Sequence, residues 1–175
     1  AVLGLDAGVI EDVLRDREGV SIANYNCPGQ IVITGEAKAV DEAGNALKEA
    51  GARRVLPLKV SGPFHSPMMQ PAGEELAKVF AGVSMNPLKI PYVANINAEV
   101  ITDCGRIEGL LVDQVSGSVR WQQSVETMIR EWVDTFVEIG PGKTLTGFLR
   151  KIDKNVKAYH IGSWEEAVQV CEELK

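Results

Sequence analysis

The spacing of apolar and polar positions changes several times along the chain. Ala1 to Leu5 is a short apolar run that predicts a strand. Asp6 then precedes Ile10, Val13 and Leu14, which share one face of a helix, and Asp6 is placed to cap it. Val20 to Tyr25 and the β-branched run Gln30 to Thr34 predict two further strands, joined by the turn Cys27-Pro28-Gly29. Val40, Ala43, Leu47 and Ala50 recur at helical spacing between Glu36 and Ala50, and Gly51 is suited to end that helix. Arg54 to Val60 predicts a fourth strand. The resulting order, β-α-β-β-α-β, is the ferredoxin-like plan.

After Val60 the pattern differs. Ser61 to Pro67 reads as a loop stiffened by Pro63 and Pro67. Pro71 opens a helix with Leu76, Val79, Phe80 and Val83 as its apolar face. Ile90 to Ile96 predicts a strand, and Ile107 to Val115 a helix. Trp121 to Val133 predicts another helix, with Trp121, Val125, Met128 and Trp132 on one side. Thr135 to Ile139 is a strand that runs into Gly140-Pro141-Gly142, and a helix follows from Thr144. Lys157 to Ile161 is the last strand. Ser163 to Leu174 is the last helix, where Ser163 and Glu166 have the spacing of a capping box. Strands alternating with helices predict an α/β layer with a largely parallel sheet. A boundary near Lys59 separates two expected units, 1–59 and 60–175.

Composition narrows the possible functions. With 45% apolar and 24% charged positions among 175 residues, the chain can bury a sizeable core. No apolar run reaches the roughly 20 residues of a membrane helix, so no membrane role is expected. A net charge of −6 repels phosphate backbones and argues against broad nucleic-acid binding. Cys27, Cys104 and Cys171 form neither a disulfide framework nor a zinc pattern, which fits a reducing cytoplasm. No secretory leader is visible. The chain opens on Ala1, inside its first strand-like run, so an upstream segment is expected.

Of the two histidines, His160 lies within a strand-like run and reads as structural. His65 stands in the loop Ser61-Gly62-Pro63-Phe64-His65-Ser66-Pro67, which follows a predicted strand. Catalytic residues collect in such loops, and an imidazole titrates near neutrality, as a general base should. A histidine satisfied by neighbouring backbone is the alternative. A base needs a nucleophile, and the serine elbow Gly-x-Ser-x-Gly is absent from the 175 residues. Gly142-Lys143-Thr144 resembles the end of a phosphate loop, but Val137 occupies the position of the required first glycine. The carboxylates and histidines show no metal-ligand spacing, so no metal is expected. The two central strands offer one tyrosine, too few aromatics for an RNA-binding sheet.

Four segments carry a more specific signal in combination. Asn24-Tyr25-Asn26-Cys27-Pro28-Gly29-Gln30-Ile31-Val32-Ile33-Thr34-Gly35 resembles a signature of malonyl-CoA–acyl carrier protein transacylases. Leu56-Pro57-Leu58-Lys59-Val60-Ser61-Gly62-Pro63-Phe64-His65-Ser66 resembles the family's histidine loop. Gln114 to Trp121 and Glu138 to Leu145 resemble two later family segments, in the family's order. The resemblance implies a ferredoxin-like small subdomain over 1–59. It implies the C-terminal portion of an α/β-hydrolase-like large subdomain over 60–175. It also implies transfer of a malonyl group from coenzyme A to the phosphopantetheine thiol of acyl carrier protein in fatty-acid synthesis. A serine-bound intermediate carries the group, and coenzyme A acts as substrate carrier with no covalently bound cofactor.

By resemblance His65 is the base, and the Gln114 backbone carbonyl accepts a hydrogen bond from its ring. Phe64 matches the position that limits branching at the acyl α-carbon. Arg53 and Arg54 match a basic pair that meets coenzyme A or carrier phosphates, and they read equally as a solvated surface pair. Asn24 and Asn26 match positions that can line the inter-lobe cleft, and asparagines also occur in strand-turns for local reasons. The serine elbow, the oxyanion-hole residue and the arginine for the malonyl carboxylate belong upstream of Ala1. The 175 residues alone are therefore expected to be inactive, and residues 61–175 to expose apolar sheet edges. The complete protein is expected to be a cytoplasmic monomer. A non-catalytic fragment binding coenzyme A or a carrier protein, and an acyltransferase domain of a polyketide synthase, are the competing readings.

Overall fold

The computed structural model describes residues 1–174. The first part of the chain runs β1 (Val2–Leu3), α1 (Ala7–Leu14), β2 (Val20–Cys27), β3 (Gln30–Gly35), α2 (Ala37–Glu49) and β4 (Arg54–Val55). The strands form one sheet in the order β2-β3-β1-β4, every pairing antiparallel. Strand β1 has only two residues yet lies inside the sheet, because Val2 is fully buried against α1 and α2. Ile10 of α1 and Leu47 of α2 are fully buried beside it. These three positions anchor a core with Leu5, Leu14, Ile22, Ile31, Ile33 and Ala43.

The termini of α1 and α2 show where local chemistry acts. Asp6 stands at the start of α1 in extended backbone but makes no side-chain cap bond. Gly51 takes φ +102 after α2, and its N–H donates to the Lys48 carbonyl at 3.0 Å. That left-handed cap is a conformation glycine adopts without a Cβ penalty. Gly35 is under a tighter constraint, since a Cβ there would fall on the Gly19 carbonyl.

The second part runs α3 (Gln70–Phe80), β5 (Tyr92–Ala94), β6 (Glu99–Ile101), α4 (Ile107–Ser116), α5 (Trp121–Arg130), β7 (Thr135–Ile139), α6 (Thr144–Ile152), β8 (Lys157–Ile161) and α7 (Trp164–Glu173). Strands β5 and β6 form an antiparallel hairpin, and β7 and β8 a parallel pair. Among the described residues, β7 and β8 are the only parallel strands paired within a sheet, so the expected largely parallel sheet is corrected. Among the described residues, no helix is long and apolar enough to cross a membrane.

Four local expectations are also corrected. The fourth strand stops at Val55 instead of reaching Val60, because Pro57 has no N–H to continue a ladder. Leu56, Leu58 and Val60 keep the strand alternation but stay exposed. The strand expected over Ile90 to Ile96 is shorter and turns back at Asn95 to Ala98. Val79 and Val83 do not pack as the apolar face of α3: Val79 is exposed, and Val83 lies beyond the helix. Trp132 lies past the end of α5, 93% exposed, and does not share the packed face of Val125.

The capping box on α7 is shifted by one residue. The Glu166 N–H donates to Ser163 Oγ at 3.2 Å, while the Glu166 carboxylate accepts from the Gly162 N–H at 2.6 Å.

Candidate active site

The loop between β4 and α3 sets the pose of His65. Ser66 is buried, and its hydroxyl donates to the Pro63 carbonyl at 2.6 Å. The Met69 N–H then donates to the Ser66 carbonyl at 2.9 Å, opening a short 3₁₀ turn over Pro67–Met69. Between these ties His65 has φ +59. A left-handed histidine is uncommon and costs on the order of 1–2 kcal/mol unless its surroundings impose it. Among the described residues only Ala98 and Trp132 share a positive φ without being glycine.

This backbone presents the ring to α4. The His65 Nδ1–H donates to the Gln114 carbonyl oxygen at 3.0 Å. Gln114 lies in the last turn of α4, where carbonyls lack an intrahelical partner and carry the negative end of the helix dipole. A carbonyl can only accept, so Nδ1 carries a proton, and in the neutral ring the lone pair is on Nε2. The Gln114 amide donates to the Gly117 carbonyl at 2.9 Å and to the Ser118 carbonyl at 3.2 Å.

His65 lines a cleft of about 490 Å³. Phe64, Ser61, Asn24, Thr34 and Asp41 also line it, so the loop and the first sheet both contribute walls. Phe64 is about half exposed. A register shift between Ile22 and Asn24 in the β2–β3 pairing places an extra residue at Ala23. Bulges of this kind re-aim neighbouring side chains. On the same stretch of β2, the Val119 N–H donates to the Ala23 carbonyl at 2.7 Å. The Tyr25 N–H donates to the Val119 carbonyl at 2.9 Å.

His65, Gln114, Phe64 and Asn24 are thus brought together. Asn26, farther along β2, and the exposed pair Arg53 and Arg54 do not line this cleft. Of the possible nucleophiles, Ser66 is committed to Pro63. Cys27 is buried, and burial pushes its thiol up despite the nearby Lys151. His160 is built into β8: its Nε2–H donates to the Gly140 carbonyl at 2.9 Å, and Nδ1 lies 3.6 Å from Glu166 Oε2.

Ser66, Ser118 and Val119 are the site-supporting residues that sequence reasoning missed. A serine between His65 and Pro67 was a signal for the first. Nothing local marks Ser118 or Val119, because their partners lie far earlier in the chain, on β2.

A strained, backbone-tethered histidine with one free ring nitrogen, facing a cleft, has the geometry of a proton-transfer centre. The model of the acyl transferase domain matches residues 1–170, and the chain belongs to that family. Its relatives there include the malonyl CoA-acyl carrier protein transacylase of Bacillus subtilis (strain 168), 41% identical over 179 residues. That match takes in 100% of this chain and 56% of the relative. The crystal structure of MCAT from Streptococcus pneumoniae superposes with a TM-score of 0.93 at 42% identity, covering 98% of this chain and 57% of that one. A type II PKS acyl-carrier protein in complex with its malonyl-transacylase gives a TM-score of 0.94 at 36% identity, with 98% and 57% coverage. The fold is therefore mixed α/β and matches malonyltransferase structures, and the chain spans little more than half the length of the relatives it resembles.

Proposed function

We propose that this chain is the part of a malonyl-CoA–acyl carrier protein transacylase that carries the catalytic base. The hydrogen bond from His65 Nδ1 to the Gln114 carbonyl carries this reading, because it leaves Nε2 free to take a proton. A serine outside these residues attacks the malonyl thioester, and Nε2 takes the hydroxyl proton. The tetrahedral adduct expels the coenzyme A sulfur, which leaves with that proton as a thiol. In the second half-reaction the phosphopantetheine thiol gives its proton to Nε2 and attacks the malonyl ester. The serine oxygen then leaves and regains the proton. The helix-terminal carbonyl steadies the ring as it becomes cationic, a task an acidic residue has in triads.

In this reading residues 1–59 form the small subdomain, and the antiparallel order β2-β3-β1-β4 supports a ferredoxin-like description of it. Residues 60–175 form part of the α/β-hydrolase-like large subdomain. Phe64 restricts space beside the acyl α-carbon, and Asn24 lines the same cleft. Asn26 contributes from farther along β2. Arg53 and Arg54, exposed at β4, meet coenzyme A or carrier phosphates outside the cleft. Malonyl-CoA and acyl carrier protein are the partners, and the complete protein works in the cytoplasm as a monomer.

The test has two arms. Radiolabelled malonyl-CoA is expected to leave no stable covalent label on the 175-residue chain. In the longer protein with its upstream serine, His65→Ala is expected to lower malonyl transfer by about 10²- to 10⁴-fold. Undiminished transfer by that variant would refute the assignment.

A further inference from the structure

The carbonyl that accepts the His65 hydrogen bond belongs to the end of a helix, and helix ends fray. Two side chains fasten this one. The Gln114 amide donates to the Gly117 and Ser118 carbonyls at 2.9 and 3.2 Å, which closes the turn after α4 over its own last residues. Ser118 Oγ then donates to the Ile22 carbonyl of β2 at 2.5 Å, across 96 residues of sequence. Val119 continues the attachment through its two backbone bonds to Ala23 and Tyr25. Gly117 fits closely between these ties. A Cβ there would overlap Ile96 Cδ1 and come within 3.0 Å of the Asp113 carbonyl.

An unbroken chain of contacts therefore runs from the small-lobe strand to the imidazole: Ile22, Ser118, Gln114, His65. From this we infer that the side chains of Gln114 and Ser118 are positioning residues that hold His65 in its Nδ1–H tautomer by clamping the turn after α4 to β2. The inference rests on the reading of His65 as base and adds a device that turns the Nε2 lone pair of the neutral ring toward the cleft. Neither side chain touches the reacting atoms.

The experiment reads the tautomer directly. The 175-residue chain holds two histidines, so ¹⁵N-histidine labelling gives two sets of ring signals, and His160→Gln assigns them. Wild-type His65 is expected as the Nδ1–H form. In Gln114→Ala the ring is expected to exchange between tautomers, and its Nδ1 proton to exchange with water about fivefold or more faster, the effect of losing one buried hydrogen bond. Ser118→Ala is expected to shift the same signals in the same direction by less. Ser118→Thr, which keeps a hydroxyl, is expected to restore them.

His160 lies on β8, away from the clamp, and reports whether each variant is folded. If Gln114→Ala moves the His160 signals as well, the two substitutions at Ser118 decide. An unchanged His65 tautomer and exchange rate with His160 intact, or a Ser118→Thr variant no better than Ser118→Ala, would overturn the inference. A correctly tautomerised His65 that proved dispensable for malonyl transfer would defeat the functional reading and leave the clamp standing.

Discussion

Replacing Trp132 by glycine should stabilise the chain, although it removes one of the largest side chains present. Trp132 follows α5 at φ +67. Its N–H donates to the Ile129 carbonyl at 3.0 Å, and the Val133 N–H to the Met128 carbonyl at 3.0 Å. That paired pattern is the helix stop that normally places glycine at this position. A residue with a Cβ is destabilised there by about 1–2 kcal/mol. The indole is 93% exposed, so deleting it sacrifices little buried surface. Glycine returns part of the gain through a floppier unfolded chain, roughly 0.5–1 kcal/mol. The mid-range difference is a net stabilisation of about 0.75 kcal/mol, or about 1.5–3 °C in Tm for a chain of this size. Urea and thermal unfolding of the 175-residue chain measure it. Trp132→Ala is the control: it loses the indole but keeps the Cβ, and should show none of the gain. Equal gains in both variants, or a glycine variant weaker than wild type, would mean that contacts of the indole and not backbone strain govern this position.

Other outcomes follow from the same geometry. Gly117→Ala should cost about 1–3 kcal/mol by overpacking against Ile96 and the Asp113 carbonyl. It should also broaden the His65 ring signals, and a melt within error of wild type would contradict the close fit. Glu138 caps α6 from β7, accepting from Leu145 N at 3.1 Å, Thr146 N at 2.7 Å and Thr146 Oγ1 at 2.6 Å. Burial alone would raise its carboxyl, but these bonds to Thr146 and Leu145, with a smaller help from His160, hold it below its usual value. A depressed carboxyl binds fewer protons folded than unfolded. Its stabilisation is therefore present above the unfolded value of about 4.3 and fades as pH falls through the folded one. The stability gap between wild type and Glu138→Gln should thus narrow from about pH 6 to about pH 3 in urea titrations, and a constant gap would count against the cap.

The first sheet was readable in the sequence because its signals are local and redundant. β-branched Gln30 to Thr34, the helical spacing of Val40, Ala43 and Leu47, and the stop at Gly51 all agree with the structure. Alternation at Leu56, Leu58 and Val60 described the backbone direction but could not supply a partner, and Pro57 limits the ladder. Trp132 fitted a helical stripe by spacing, yet the chain had already turned out of the helix at Glu131. The hydrogen bond from His65 to Gln114 was expected only through resemblance, since nothing in a sequence shows that a main-chain oxygen 49 residues away will meet a ring nitrogen. Ser118 lies in the segment Gln114 to Trp121 that carries part of the family resemblance, but its bond to β2 was not legible there. It depends on how two distant segments meet, and a lone serine in a turn has many local uses.

A hydrogen-bond acceptor made of main chain cannot be removed by substituting its residue. Every amino acid at position 114 would bring the same oxygen, so selection on it must act indirectly, on whatever keeps the peptide plane turned toward the ring. Damaging variants should accordingly concentrate at neighbours such as Gly117, where added bulk twists that plane. Screens that score residues by lost side-chain chemistry will rank such neighbours too low.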